Sequence, residues 1–175
     1  MKNRRIFIIT GEQGEGKTTL LKNVTRHLKE RQVPLAGFFA EGEWENDSRK
    51  SFSICDINTG EEKLLCIIEH REGFIQAGRF YFNPAALDFG ERILQNTTPD
   101  SLVVVDEIGR FELQGKVWAD VFRVLLKFSS NSLLFTVRKK FLEKVIQYFG
   151  IDNPVIFSCD QDEYNITQTI LKYII

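Results

Sequence analysis

The chain has 175 residues, with 23 Lys plus Arg against 24 Asp plus Glu, for a formal net charge of −1. That length suits a single domain spanning residues 1–175 with a real core, and the charge balance argues against nucleic-acid binding through a bulk positive field. No apolar run approaches the roughly 18 residues of a membrane-spanning helix, and the apolar stretch after Arg4 and Arg5 stops at Thr10, too short for a signal peptide.

In chain order, residues 6–10 read as a short buried strand, continuous and β-rich. A glycine-rich loop follows, and then Leu20, Leu21, Val24 and Leu28 recur at helical spacing over residues 17–31, closed by Pro34. A second strand is expected at 36–40. Phe52, Ile54 and Ile57 then roughly alternate with polar residues, Asn58-Thr59-Gly60 is a turn, and 63–68 is apolar, which predicts an antiparallel hairpin. The whole insertion would occupy about residues 43–82, with one more strand at 79–82. Pro84 opens a helix to about Gln95. Strands at Leu102–Val105, 132–137 and 155–157 alternate with helices marked by Val117, Val121, Leu125 and Phe128, by Leu142, Val145, Ile146 and Phe149, and by Ile166, Ile170 and Leu171. This alternation predicts an α/β fold with a mostly parallel sheet covered on both faces.

Gly11-Glu12-Gln13-Gly14-Glu15-Gly16-Lys17-Thr18 fits the phosphate-loop pattern GxxxxGK(S/T). Glycines let backbone N–H groups approach phosphate, and the following helix turns its positive end toward the anion. Lys17 is assigned to the β- and γ-phosphates and Thr18 to Mg²⁺. Glu12 and Glu15 are expected to face solvent, and Thr19 reads as a helix-start residue beside the nucleotide. By chance the octet would arise in roughly one chain in a hundred of this length. The strand before it and the helix after it strengthen the reading.

Leu102-Val103-Val104-Val105-Asp106-Glu107 is an apolar strand ending in two carboxylates. Pleating is expected to send them in different directions. Asp106 takes the metal side and Glu107 the water-polarising side. The 88 residues between Thr18 and Asp106 leave room for a strand between the two motif strands. With a Glu after the Asp, this resembles ATPase-type P-loop proteins (a RecA/ASCE-like three-layer sandwich) with an antiparallel hairpin added. No NKxD base-reading signal is present, so ATP and GTP both stand as ligands.

The run Asp106-Glu107-Ile108-Gly109-Arg110-Phe111-Glu112-Leu113, with the GxxGxGKTTL run from Gly11 to Leu20, resembles a small nucleoside-triphosphatase family. That family includes human cancer-related NTPase and thermophilic relatives. Its members show DEIG, a basic residue, Met and then Glu-Leu; Phe111 replaces the Met. Their Arg-x-Gly-Phe stretch corresponds to Arg49-Lys50-Ser51-Phe52, with Ser51 for Gly. Their Asn-Arg pair after the last strand falls at Asp160-Gln161-Asp162-Glu163-Tyr164, where no arginine stands. The resemblance implies hydrolysis of nucleoside triphosphate to diphosphate and phosphate, slow and broad in base preference.

Phosphoryl transfer benefits from an added arginine. Arg110 is the leading candidate, with Arg138 and Arg79 behind it. Arg138-Lys139-Lys140 is a small footprint for nucleic acid. Two other functions compete with hydrolysis. One is a nucleoside or nucleotide kinase, with Arg71, Arg79 and Arg92 clamping an acceptor. The other is a nucleotide-gated adaptor without turnover.

Cys55, Cys66 and Cys159 have no CxxC spacing and read as reduced thiols of a cytoplasmic protein. His27 and His70 are the only imidazoles, one on a helix and one in a charged loop, which argues against a histidine metal centre or a Ser-His-Asp triad. Among the 15 Phe, set against 4 Tyr and 2 Trp, two groups stand out. Phe7, Phe122, Phe128, Phe135, Phe149 and Phe157 read as core. Phe38, Phe39, Phe52, Phe80 and Phe82 gather near the hairpin, where a base could stack.

Overall fold

The computed structural model describes residues 4–175. Its elements run β1 (Ile6–Gly11), α1 (Lys17–Glu30), β2 (Leu35–Glu45), β3 (Ser48–Asp56), β4 (Glu62–Ile67), β5 (Ile75–Ala77), β6 (Phe80–Phe82), α2 (Pro84–Gln95), β7 (Leu102–Val105), α3 (Ala119–Phe128), β8 (Leu133–Arg138), α4 (Leu142–Phe149), β9 (Val155–Ser158) and α5 (Glu163–Ile174). All the strands join one sheet in the order β5-β6-β4-β3-β2-β7-β8-β1-β9. The run from β2 to β9 is parallel, and the run from β2 out to β5 is antiparallel.

The parallel strands are apolar on both sides because helices cover both faces. Phe7, Ile9, Val104 and Leu134 point to the face under α1 and α5, where Leu21, Val24, Leu28, Ile166 and Ile170 pack. Their strand neighbours Ile8, Val103, Val105 and Phe135 point to the other face, under α2, α3 and α4. The phenylalanine excess fills this core: Phe7 stacks on Phe157, and Phe122 meets both Phe135 and Phe149 edge-on. Burying one such side chain contributes roughly 1.5–3 kcal/mol. The α2 start follows its sequence closely, since the Asn83 side chain accepts the Ala85 N–H and Pro84 occupies the first turn.

Four expectations are corrected. Strand β2 runs well past residue 40, because beyond its first four residues, which pair with β7, it continues as the partner of β3. The expected antiparallel hairpin is present as β3 and β4, and it extends the main sheet edge to edge; β5 adds a short strand not foreseen. Helix α3 begins at Ala119, after Val117 at φ 53, and its last residue Phe128 is 74% exposed rather than core. A strand does lie between β1 and β7 in the sheet order, as expected, but it is β8, which comes after both motifs in the chain rather than from the gap between them.

Candidate active site

Strand β1 delivers Gly11 to the sheet's edge, and the chain turns through residues 12–16 into α1. Gly14 and Gly16 have φ of 79° and 87°, a region that side chains disfavour. Lys17 folds back across this turn: it is 7% exposed, and its Nζ donates to the Glu12 carbonyl at 2.8 Å. Glu12 is exposed, as expected. Glu15 is also exposed, but its Oε2 accepts the Glu12 N–H at 2.6 Å and the Cys159 thiol at 3.4 Å, so its carboxylate bends back on the loop. Gln13 lies at the loop's outer side and Thr19 is exposed in the first turn of α1.

Asp106 lies one residue past β7 and is 3% exposed. Its Oδ2 accepts the Thr18 hydroxyl at 2.8 Å and the Ala40 N–H at 3.2 Å; its Oδ1 accepts the Thr136 hydroxyl at 2.6 Å. Burial pushes its pKa up, against the three donors and the charge of Lys17. The Thr18 hydroxyl and the Asp106 carboxylate form an all-oxygen donor set at the phosphate loop, which suits a hard cation such as Mg²⁺.

Glu107 turns elsewhere, toward β8. Because the strand ends at Val105, strand pleating is not what separates the two carboxylates; their different partners are. Arg138 Nε donates to Glu107 Oε1 at 3.1 Å, and Arg138 Nη1 donates to Gln13 Oε1 at 3.1 Å. Burial raises the Glu107 pKa, opposed by Arg138 and Lys17 and reinforced by the Asp106 charge. A carboxylate with raised proton affinity at this place can take a proton from water. Arg138 thus spans the phosphate loop and Glu107. Arg110 sits apart on the wall of an adjoining cleft and makes no ion pair among the described residues.

That cleft has a volume of about 410 Å³ and runs from Glu107 toward β3 and β6. Phe52, Phe80 and Phe82 line it, whereas Phe38 is buried against Trp118 and Phe39 packs on the α1 side. Of the three arginines considered for an acceptor, only Arg79 lies there. Arg71 rests by Phe74, and Arg92 borders recesses near Lys63.

Two residues gain roles that their sequence context did not assign. Arg49 enters the cleft from β3, its guanidinium 4.1 Å from the Trp44 ring centroid. Glu112 is 4% exposed under the cleft, its carboxylate accepting the Gly109 N–H at 2.8 Å and the Trp118 N–H at 3.4 Å. Burial pushes Glu112 up to about 7 despite these donors. Its place in the Phe111-Glu112-Leu113 run was the available signal. For Arg49 the signal was its place two residues before Ser51 in the hairpin stretch.

A parallel sheet with a glycine loop and lysine at the end of β1, and a buried carboxylate two strands away, defines a P-loop α/β protein. A family model described as NTPase matches residues 6–171. Among curated proteins, nucleoside-triphosphatase THEP1 of Thermotoga maritima is 32% identical over 164 residues, covering 91% of this chain and 88% of its own. The protein of the same name from Caldivirga maquilingensis is 31% identical over 150 residues, covering 86% and 84%. The chain belongs to this nucleoside-triphosphatase family. Two solved structures share the fold at lower identity. The THEP1 crystal structure from Aquifex aeolicus matches with TM-score 0.72 at 21% identity, covering 97% of this chain and 98% of that one. The solution structure of a human cancer-related nucleoside triphosphatase matches with TM-score 0.71 at 23% identity, covering 96% of each.

Proposed function

We propose that the protein hydrolyses nucleoside triphosphates in a Mg²⁺-dependent reaction, slowly and with little regard for the base. Membership of the family makes it a nucleoside-triphosphate phosphohydrolase. The observation that carries the finer reading is the paired linkage Thr18–Asp106 and Gln13–Arg138–Glu107 between phosphate loop and carboxylates. Gly11 to Thr18 hold the phosphates, with Lys17 on the β- and γ-groups. Thr18 and Asp106 would hold Mg²⁺, which when bound supplies positive charge to the β- and γ-phosphate oxygens.

Glu107 orients water and accepts its proton as the water oxygen bonds to the γ-phosphorus, while the bond from the γ-phosphorus to the β-bridging oxygen breaks and its electron pair leaves with the diphosphate. Arg138 steadies Glu107 and brings positive charge to the transferring group; Arg110, further out, has the lesser part. Because Arg138 is spent on Glu107 and Gln13, it offers the phosphate only part of its charge, which supports slow turnover. Breadth of base follows from recognition centred on phosphate, which every nucleotide shares. No helix among the described residues is long and apolar enough to cross a membrane.

Phosphate release from ATP, GTP, CTP and UTP, each with Mg²⁺ and with EDTA, tests this reading. Similar rates for the four, lost in EDTA, are expected. A single preferred base would overturn the breadth, and release undiminished in EDTA would overturn the metal dependence.

A further inference from the structure

Hydrolysis needs room for one water beside Glu107. The cleft there holds about 410 Å³, within the roughly 300–1,000 Å³ of small-molecule sites. Its walls carry rings and cations, with the carboxylates Asp47, Asp106, Glu107 and Glu112 also on the lining. Phe52, Phe80, Phe82, Phe111 and Phe141 present rings. Arg49, Arg79, Arg110 and Lys140 present cations, and none of the four makes an ion pair among the described residues.

The arginines of β3 and the β5–β6 turn are held in place without being neutralised. The Arg49 guanidinium lies over Trp44 and 5.7 Å from the Phe52 centroid, and Arg49 Nη1 donates to the Gly42 carbonyl. Arg79 Nη2 donates to the Arg49 carbonyl at 3.2 Å, with its guanidinium 4.9 Å from the Phe80 centroid. Burial and the nearby Arg138 lower the Arg49 pKa, while the charges of Glu107 and Asp106 oppose that shift.

A triphosphate held in line at the phosphate loop would direct its own base away from this space. Lys17, Thr18 and Asp106 mark the β- and γ-phosphates, and Glu107 flanks the γ-phosphate on the attacking side. The α-phosphate, sugar and base leave from the β-phosphate, in the opposite sense. The cleft beyond Glu107 is therefore where an attacking group would come from.

We propose that this cleft is an acceptor site for a nucleoside monophosphate, its base among the phenylalanines and its phosphate held by Arg49, Arg79 and Arg110. This rests on the phosphate-loop reading above and adds an acceptor to it. One acceptor phosphate oxygen bonds to the γ-phosphorus. The bond from the γ-phosphorus to the β-bridging oxygen breaks, and its electron pair stays with the departing diphosphate. Two nucleoside diphosphates result. A monophosphate with second pKa about 6 is largely ionised at neutral pH, so no proton has to be removed. Glu107 is thus needed for water and dispensable for this acceptor. Rings and guanidinium planes are the groups that stack on bases.

The test incubates the protein with Mg²⁺, ATP and each of GMP, CMP and UMP, and with GTP and AMP. Diphosphate products are separated by anion-exchange chromatography and phosphate release is measured in the same samples. At least one acceptor diphosphate is expected. Arg79→Gln should raise the acceptor KM by about tenfold or more; Arg79 is exposed, and a melting curve checks that the variant folds. Glu107→Gln should lower phosphate release about 100-fold and transfer by less than about tenfold. Phosphate release with no acceptor diphosphate from any monophosphate overturns the acceptor site alone. So does transfer that Arg79→Gln leaves unchanged, or transfer lost in Glu107→Gln as fully as hydrolysis. Absence of both products overturns the hydrolysis reading as well.

Discussion

The two sides of the carboxylate pair handle negative charge in opposite ways. On the β1 side, the phosphate loop draws on backbone geometry, with Gly14 and Gly16 in left-handed conformations and one buried lysine. On the β3 and β6 side, the cleft draws on long side chains from separate strands and loops, with Arg49, Arg79, Arg110 and Lys140 set among rings. The first arrangement is compact and local. The second is wide and adaptable, and it exists only because β3, β4 and β6 continue the sheet beyond β2. A near-neutral chain therefore gathers cationic groups at two places without a basic surface overall.

Substitutions on either side test that contrast, beginning with the largest effect. Lys17→Ala removes the one buried cation of the loop, and triphosphate hydrolysis should fall by about 10³-fold or more, measured as phosphate release at saturating nucleotide. Hydrolysis that survives this change would dissolve the distinction, since the cleft alone would then suffice. Glu107→Gln should reduce kcat by about 10²-fold to 10³-fold while a fluorescent triphosphate still binds.

Glu112→Gln acts on the cleft side through stability. A buried carboxyl raised from 4.5 to about 7 favours its protonated form, so the native state binds the proton more tightly than the unfolded chain does. Stability contributed by that proton is present below pH 4.5 and is lost as pH rises to about 7. The loss is roughly 3 kcal/mol for a shift of this size. Urea unfolding of the wild type from pH 5 to 8 should show that fall against the variant, whose neutral amide does not titrate. Equal slopes in the two proteins would remove Glu112 from the account. Phe128→Ser, at an exposed helix end belonging to neither side, should change stability by no more than about 0.5 kcal/mol in the same assay.

The same contrast explains what could be read from the amino acids. The phosphate loop is a contiguous octet, and Asp106-Glu107 follows an unbroken apolar strand, so local pattern was enough to find both. The helices with clear periodicity, such as α1 and α5, were legible for the same reason. The apolar pattern marks only the first half of β2, because the second half is held by pairing with β3. The cleft was only partly legible. Arg49, Arg79 and Arg138 are far apart in sequence and meet through sheet order, which no single segment encodes. Phe38 and Phe52 looked alike in sequence, yet one is core and the other faces the cleft.

The sequence separation of Asp106 from its partners implies an order of events during folding. The hydrogen-bond donors to Asp106, which are Thr18, Ala40 and Thr136, stand 88, 66 and 30 residues away along the chain. Contacts that distant close late, because large loops must be ordered before any of them forms. A chain with its helices in place still has no assembled carboxylate until β2, β7, β8 and α1 have met. Capture of nucleotide should consequently be among the last signals to return on refolding. A fluorescent triphosphate added during dilution from denaturant should lag behind far-ultraviolet circular dichroism, and simultaneous recovery would contradict that order.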